Sequence, residues 1–340
     1  MFVPRSSAFW YTTRMAKLHV AIIRGGPSSE YEVSLASGDT ILKNIPEKYH
    51  PVDILISKSG QWHRGGMEVD PRRALSSIDV VFNALHGEYG EDGKVQQILD
   101  RLGVPYTGSG VLGSALGMNK HLAKQHFIKA GLKTPHSKLI SPLSDDEQLQ
   151  DLARTLFKSF PIPAVVKPVS AGSSVGVTIA RTLAELEAGL TKAFSLGGSV
   201  LVEEFIPGKE ATCGVIEQFR GEALYALMPI EITPPPKNGF YDYEAKYVSN
   251  DTGYVLPGNF TKEEKEAIQK ASILAHQSLG LRHYSRSDFI VSPKRGVYIL
   301  ETNTLPGMTS HSLVPKSIEA VGSTLPEFIE HLLTLALERK

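Results

Sequence analysis

Apolar positions in this chain follow two rhythms. Short apolar runs such as His19-Val20-Ala21-Ile22-Ile23, Val52-Asp53-Ile54-Leu55-Ile56 and Val80-Val81-Phe82-Asn83-Ala84-Leu85 have strand length and composition. Between them, Val33, Ala36, Thr40 and Ile41 recur at helical spacing, and 94–102 does the same. Ser29 and Glu32 have the spacing of a capping box, which predicts the helix start. Strands separated by helices predict a doubly wound parallel sheet. The compact turn Val104-Pro105-Tyr106-Thr107-Gly108-Ser109-Gly110 closes this first unit.

Further along, 111–130 predicts one helix, 141–148 a loose polar stretch, 163–168 a strand ending on Lys167, and 200–206 a strand ending in acids. Residues 262–279 predict an amphipathic helix with Ala267, Ile268, Ala271, Leu274, Ala275 and Leu279 toward the core. A hairpin spans 286–303, and a last helix spans 325–337. Pro234-Pro235-Pro236 excludes a central strand. The alternating 241–247 that follows suits an ordered loop or lid, or an amphipathic edge strand.

A length of 340 residues suits two or three domains. The expected division is an extension at 1–16, an N-terminal α/β unit at 17–110, a central unit at 111–204 and a C-terminal unit at 205–340. Lys+Arg and Asp+Glu are equal at 36 each, so no basic excess points to nucleic acid or to an anionic membrane. No apolar run approaches the ~18 residues of a membrane span. The single cysteine, Cys213, excludes an intrachain disulfide framework and suits a reducing compartment. Residues 1–16 hold Arg5, Arg14 and no acid. They faintly resemble an organelle-targeting segment, or are an upstream extension with Met15 as the start.

The chemistry concentrates at strand ends. Gly25-Gly26-Pro27-Ser28-Ser29-Glu30 lies between a strand and a helix, the layout of a ligand site at a parallel sheet edge. Its glycines lack the dinucleotide spacing, which argues against an oxidoreductase. Glu30 by itself would only complement a helix dipole. His86-Gly87-Glu88-Tyr89-Gly90-Glu91-Asp92-Gly93 is rich in glycine and acids and leaves the same edge. The loop through Gly172-Ser173-Ser174-Val175-Gly176, just after Lys167, has the hydroxyls and backbone freedom to wrap phosphate oxygens. In the hairpin, pairing Val291 with Tyr298 sets Asp288 opposite Glu301, with Asn303 on the face of Glu301. Two facing carboxylates need an offsetting charge. Oxygen donors without His or Cys favour magnesium or manganese.

These segments, in this order, resemble the D-alanine–D-alanine ligases of the ATP-grasp superfamily from Lys17 onward. The resemblance implies an ATP-grasp fold in which two α+β domains sandwich ATP behind the N-terminal unit. It implies that Lys120 and Lys167 meet phosphates, that Ser173 and Ser174 belong to the phosphate flap, and that Lys246 stands in the lid over the nucleotide. Glu203 and Ile206 would lie beside adenine, and Glu210 beside ribose. Asp288, Glu301 and Asn303 would hold two magnesium or manganese ions. Glu30 would receive the first substrate's ammonium, with His86 nearby, and Ser312 the second substrate's carboxylate. Ser173, Tyr247 and Glu30 would form a hydrogen-bonded trio, and Arg286 and the Gly307 N–H would steady an oxyanion. The implied reaction joins two D-alanines through an acyl phosphate, for cell-wall precursor synthesis, in a cytoplasmic homodimer. Tyr31 departs from the arginine of many relatives. A ligase making D-alanyl-D-lactate is the nearest alternative, against which Lys246-Tyr247 argues. A nucleotide-binding protein without catalysis is a third reading, disfavoured by intact Arg286, Asp288, Glu301 and Asn303.

Overall fold

The computed structural model describes residues 17–143, 145–170, 172, 174–233, 253–309 and 311–338. The first sheet contains β1 (Leu18–Gly25), β2 (Tyr49–Ile56), β3 (Trp62–Arg64), β4 (Met67–Glu68) and β5 (Val80–Asn83), in the order β4-β3-β2-β1-β5. β1 pairs in parallel with β2 on one side and β5 on the other, as the pattern predicts. The short β3 and β4 add antiparallel edge strands that the pattern did not show. Because the chain leaves β1 for β2 and returns on its other flank as β5, the carboxyl end of β1 is a topological switch point.

Both faces of this sheet are buried. Val20, Ile22 and Phe82 pack with Ile41 of α1 (Tyr31–Asn44), and with Phe328, Ile329 and Leu332 of the last helix, α10 (Leu325–Glu338). Ala21, Ile23 and Val81 pack on the opposite face with Leu75, beyond α2 (Pro71–Ala74), and with Val95 and Leu99 of α3 (Lys94–Leu102). The capping box does not form. α1 begins at Tyr31 with Glu30 at its N-cap and no side-chain cap, while Ser28 Oγ accepts the Glu30 N–H at 3.0 Å. Of the positions that set the helical period, Val33, Ala36 and Thr40 line a cavity, and Ile41 alone reaches the core.

The predicted helix over 111–130 is two helices, α4 (Val111–Met118) and α5 (Lys120–Lys129). Asn119 breaks them at φ −87°, ψ 97°, and its side chain accepts the Leu122 N–H at 3.0 Å, as an N-cap does.

The second sheet is antiparallel, with β6 (Ser137–Ile140), β7 (Ala164–Pro168), β8 (Thr178–Ala180) and β9 (Val200–Glu204) in the order β6-β9-β7-β8. Ala164, Val166, Val200 and Val202 face α6 (Asp146–Ser159) and α7 (Leu183–Ser195). The polar stretch at 141–148 conceals the start of α6, where Asp145 accepts the Gln148 N–H at 2.8 Å.

The third sheet contains β10 (Lys209–Phe219), β11 (Glu222–Ala226), β12 (Ile230–Thr233), β13 (Gly253–Val255), β14 (Tyr284–Ser292) and β15 (Gly296–Asn303). Its order is β13-β12-β10-β14-β15, with β11 also on β10, and its pairs are antiparallel. Ala211, Cys213, Phe289 and Val291 face α8 (Lys262–Ser278) and also Ala123 and Phe127 of α5. Thus α5 packs on the third sheet although it precedes the second in the chain.

The hairpin register differs from the expected one. Val291 pairs with Val297, Asp288 pairs with Glu301, and a bulge lies between. The extra residue is Leu300. Strict alternation from Ile299, which is buried with Phe289 in the core, would turn Glu301 to the same side. The bulge instead leaves Leu300, Glu301 and Asn303 all on the cavity.

Candidate active site

The uncovered faces of the second and third sheets and the switch-point end of the first enclose one cavity of about 1130 Å³. β7 and β9 contribute Val165, Lys167 and Glu203. β10, β14 and β15 contribute Glu210, Thr212, Arg286, Asp288, Glu301 and Asn303. The first unit supplies Glu30 and His86, and the turn after β15 supplies Gly307 and Ser312, just before α9 (Leu313–Ala320). Lys120, Ser174 and Ile206 complete the lining among residues singled out from sequence. Ser173, Lys246 and Tyr247 lie outside the described residues.

Glu30 is 6% exposed and sits where two loops meet. A Cβ at Gly87 or Gly172 would come within 2.8 or 2.7 Å of its Oε2, so both loops are glycine at their closest approach. Gly87 also has φ +69°, the left-handed region.

His86 is buried and bonded at both nitrogens, with Nδ1 2.9 Å from the Leu305 carbonyl and Nε2 2.8 Å from Ser37 Oγ. A carbonyl only accepts, so Nδ1 carries the proton and Ser37 donates to Nε2. Burial pulls the imidazole pKa down, against the opposing pull of Glu30, which fits this neutral form. Ser37 Oγ also accepts the Met308 N–H at 3.3 Å. Glu91 completes the arrangement, taking the Gly87 N–H at 2.7 Å and the Leu305 N–H at 3.1 Å. His86 and Glu91 therefore hold both polar groups of one peptide residue, Leu305, two positions before Gly307. Burial first, and then the Glu30 charge, push the Glu91 carboxyl up to about 8.

The hairpin acids are offset by cations of the chain itself. Arg286 makes a bidentate pair with Asp288, 2.9 Å at Nε and 2.9 Å at Nη2, and Thr212 donates to the same carboxylate at 2.6 Å. Lys120 lies 3.2 Å from Glu301. The offset that the facing acids require is thus met by Arg286 and Lys120, where the sequence suggested a divalent ion as the simple candidate. Two carboxylates and the Asn303 amide remain a set of hard oxygen donors on one face, which suits magnesium or manganese. Asn303 Oδ1 also accepts the Leu305 N–H at 3.1 Å.

Gly307 is required for space, since a Cβ there would lie 2.7 Å from Ser312 Oγ. Ser312 occupies the N-cap of α9 without capping it. Its hydroxyl instead accepts the Thr309 N–H at 3.0 Å and lies 2.8 Å from Thr309 Oγ1. Ser174 has φ +59°, a left-handed residue in the glycine-rich loop. Glu203 pairs with Lys167 at 2.9 Å and with Lys124 at 2.8 Å.

Sequence reasoning did not assign Ser37, Glu91, Lys124, Thr212 or Thr309. Glu91 stood in a recognised glycine-acid loop, and Lys124 is one helical turn beyond Lys120. Ser37, Thr212 and Thr309 carry no mark in the chain.

A nucleotide-sized cleft between two antiparallel sheets, with Lys167 on one and the acids Asp288 and Glu301 on the other, defines an ATP-grasp protein. Solved structures share the fold. The D-Ala:D-Ser ligase VanG from Enterococcus faecalis has a TM-score of 0.80 at 29% identity, covering 94% of this chain and 100% of that one. D-alanyl-alanine synthetase A from Vibrio cholerae has a TM-score of 0.81 at 28% identity, covering 96% and 100%. The family models for the D-ala D-ala ligase N-terminus match residues 19–71 and 65–109, and that for the D-ala D-ala ligase C-terminus matches 126–334. This chain belongs to the D-alanine–D-alanine ligase family. The ligase of Desulfotalea psychrophila is 40% identical over 333 residues, covering 96% of this chain and 97% of its own. That of Halalkalibacterium halodurans is 40% identical over 324 residues, covering 95% and 100%.

Proposed function

We propose that the protein joins two D-alanines at the expense of ATP, through an acyl phosphate. The observation that carries this reading is the single cavity in which the phosphate-type lysines, Lys120 and Lys167, and the oxygen donors Asp288, Glu301 and Asn303 stand with Glu30, His86, Gly307 and Ser312. The first D-alanine carboxylate attacks the γ-phosphorus and ADP leaves. The amine of the second then attacks the acyl carbon, and phosphate leaves.

The residue roles are those the family resemblance implies, and the chemistry of each side chain suits them. Glu30, fixed between Gly87 and Gly172, offers a carboxylate to the first ammonium. Ser312 offers its hydroxyl to the second carboxylate. Arg286 and the Gly307 N–H, both on the cavity, would donate to the oxyanion that develops at the acyl carbon, and donors fixed beforehand in a dry site stabilise it most. Glu203 and Ile206 stand together on the cavity wall, where the family resemblance puts adenine. The family resemblance gives Glu210 the ribose, and gives Lys246, Tyr247 and Ser173, which lie outside the described residues, the cover over the phosphates and its tie to Glu30. Magnesium or manganese, held by Asp288, Glu301 and Asn303, would neutralise phosphate charge when bound.

The three units at 17–110, 111–204 and 205–340 fit this reading, each contributing one sheet to the cavity wall. A cytoplasmic homodimer serving peptidoglycan precursor synthesis also fits it. Among the described residues, no helix is long and apolar enough to cross a membrane. D-Lactate as second substrate is not favoured, because relatives 34–40% identical are named for D-alanine on both sides.

The test is phosphate release from Mg-ATP with D-alanine, L-alanine, or D-alanine plus D-lactate or D-serine, with products resolved by mass. D-Alanyl-D-alanine from D-alanine alone is the expected result. A dominant depsipeptide or D-alanyl-D-serine would reassign the second site, and no release under any condition would overturn the reading.

A further inference from the structure

We infer that Lys124 is a positioning residue for the nucleotide: by pairing with Glu203 from behind the cavity wall, it frees the Lys167 ammonium for phosphate. The inference rests on the cavity being an ATP site. Lys120 and Lys124 are four apart on α5 and share a face. Lys120 reaches Glu301 at 3.2 Å and lines the cavity. Lys124 turns to Glu203 instead, 2.8 Å from Oε1, and donates to Thr134 Oγ1 at 2.6 Å. At 2% exposure it lies behind the wall, out of a ligand's reach.

Glu203 is also 2% exposed, with Lys167 on its other oxygen at 2.9 Å. One lysine would neutralise one carboxylate. Two leave the buried trio with a net positive charge, an arrangement that burial opposes unless something uses the surplus. The strain shows on Lys124, whose ammonium burial pulls down to about 8. Glu203 stays ionised, since Lys167 and Lys124 together outweigh its burial.

The surplus has a use on the cavity side. Lys167 lines the cavity immediately before the glycine-rich loop. If Glu203 had only Lys167, contact between that lysine and phosphate would strand a buried carboxylate without a partner, which is strongly unfavourable. With Lys124 in place, Glu203 keeps a partner while Lys167 turns to the ligand. Lys124 acts through Glu203 and Lys167, so its effect belongs to phosphates and not to adenosine.

Calorimetric binding of ATP, ADP and adenosine to the unaltered protein and to K124M, E203Q and K124M/E203Q tests this. K124M is expected to weaken ATP and ADP about tenfold or more, and adenosine less than about threefold. K124M/E203Q is expected to bind ATP as E203Q does, because without the carboxylate Lys124 has nothing to offset. Equal losses for adenosine and ATP in K124M, no loss at all, or a further ATP loss from E203Q to the double variant would overturn the inference. The comparison of E203Q with the double variant decides it if K124M alone does not fold. Failure of the unaltered protein to bind ATP would overturn the cavity reading together with this one, whereas normal ATP binding by K124M overturns this one only.

Discussion

At the scale of single residues, the site is held by charges that have been paired in advance. Glu301 faces Asp288 across the hairpin and stands 3.2 Å from Lys120. Glu301→Gln keeps the shape but removes a hard anionic donor, and is expected to lower turnover by about a hundredfold or more. Phosphate release at saturating Mg-ATP checks it, and near-normal turnover would sink the metal assignment. Glu91 offers a second test, through pH. Its folded-state pKa, about 8, is raised above the ordinary glutamate value of 4.5. Between those values the folded chain holds a proton that the unfolded chain releases. Its contribution is full below the lower value and falls as pH rises, by up to about 1.4 kcal/mol per unit, and is gone above the upper one. Denaturant midpoints of the unaltered protein and Glu91→Gln should therefore converge from pH 5 to pH 9, or reverse order. Parallel curves would remove the raised pKa.

At the scale of elements, two irregularities aim the functional side chains. The break at Asn119 separates α4 from α5 and sets the direction of Lys120 and Lys124. Asn119→Ala should cost about 1 kcal/mol of stability, as N-cap losses do, and should also weaken ATP binding. A thermal melt and a binding isotherm read the two effects separately, and an unchanged melt would deny the cap its role. The bulge at Leu300 is the stronger case. Deleting Leu300 removes the extra residue, and strict alternation from the buried Ile299 then leaves Glu301 and Asn303 on the cavity side, with Glu301 still opposite Asp288. The deletion variant is expected to fold and to retain measurable phosphate release, at a reduced level because the local twist of the bulge is lost. A complete loss of activity with an unchanged melt would show that the twist of the bulge, beyond the face it gives, aims the acids. Hydropathy located both strands of this hairpin but not the bulge, since one extra residue leaves the average pattern almost unchanged.

At the scale of the whole molecule, the ends of the chain meet. α10 buries Phe328, Ile329 and Leu332 against β1 and β5 through the same cluster that holds Val20 and Phe82. The sheet that carries Glu30 and His86 therefore depends on the last fourteen-residue helix. Leu332→Ala, at a position with no exposed surface, should cost about 2–5 kcal/mol. The expected result is a lower melting temperature with turnover per folded molecule unchanged, and partial recovery of the melt when ATP at a hundred times its Kd adds about 2.7 kcal/mol. A melt unaltered by the substitution would show that α10 is dispensable to the first sheet.

Much was determined by the sequence itself. The parallel strands β1, β2 and β5, the helices 94–102 and 262–278, the acid pair at Asp288 and Glu301, and the glycine loops all follow from local periodicity and turn chemistry, which need only neighbours in the chain. Tertiary structure alone decided the rest. It set Lys124 against Glu203, Glu91 against the Leu305 N–H and Ser37 between His86 and Met308, across separations of 79, 214 and up to 271 residues. A lysine, an acid or a serine reads the same in a chain whether it faces solvent or a buried partner. Only packing three sheets around one cavity removes the water that would otherwise satisfy these groups, and so makes their pairing decisive.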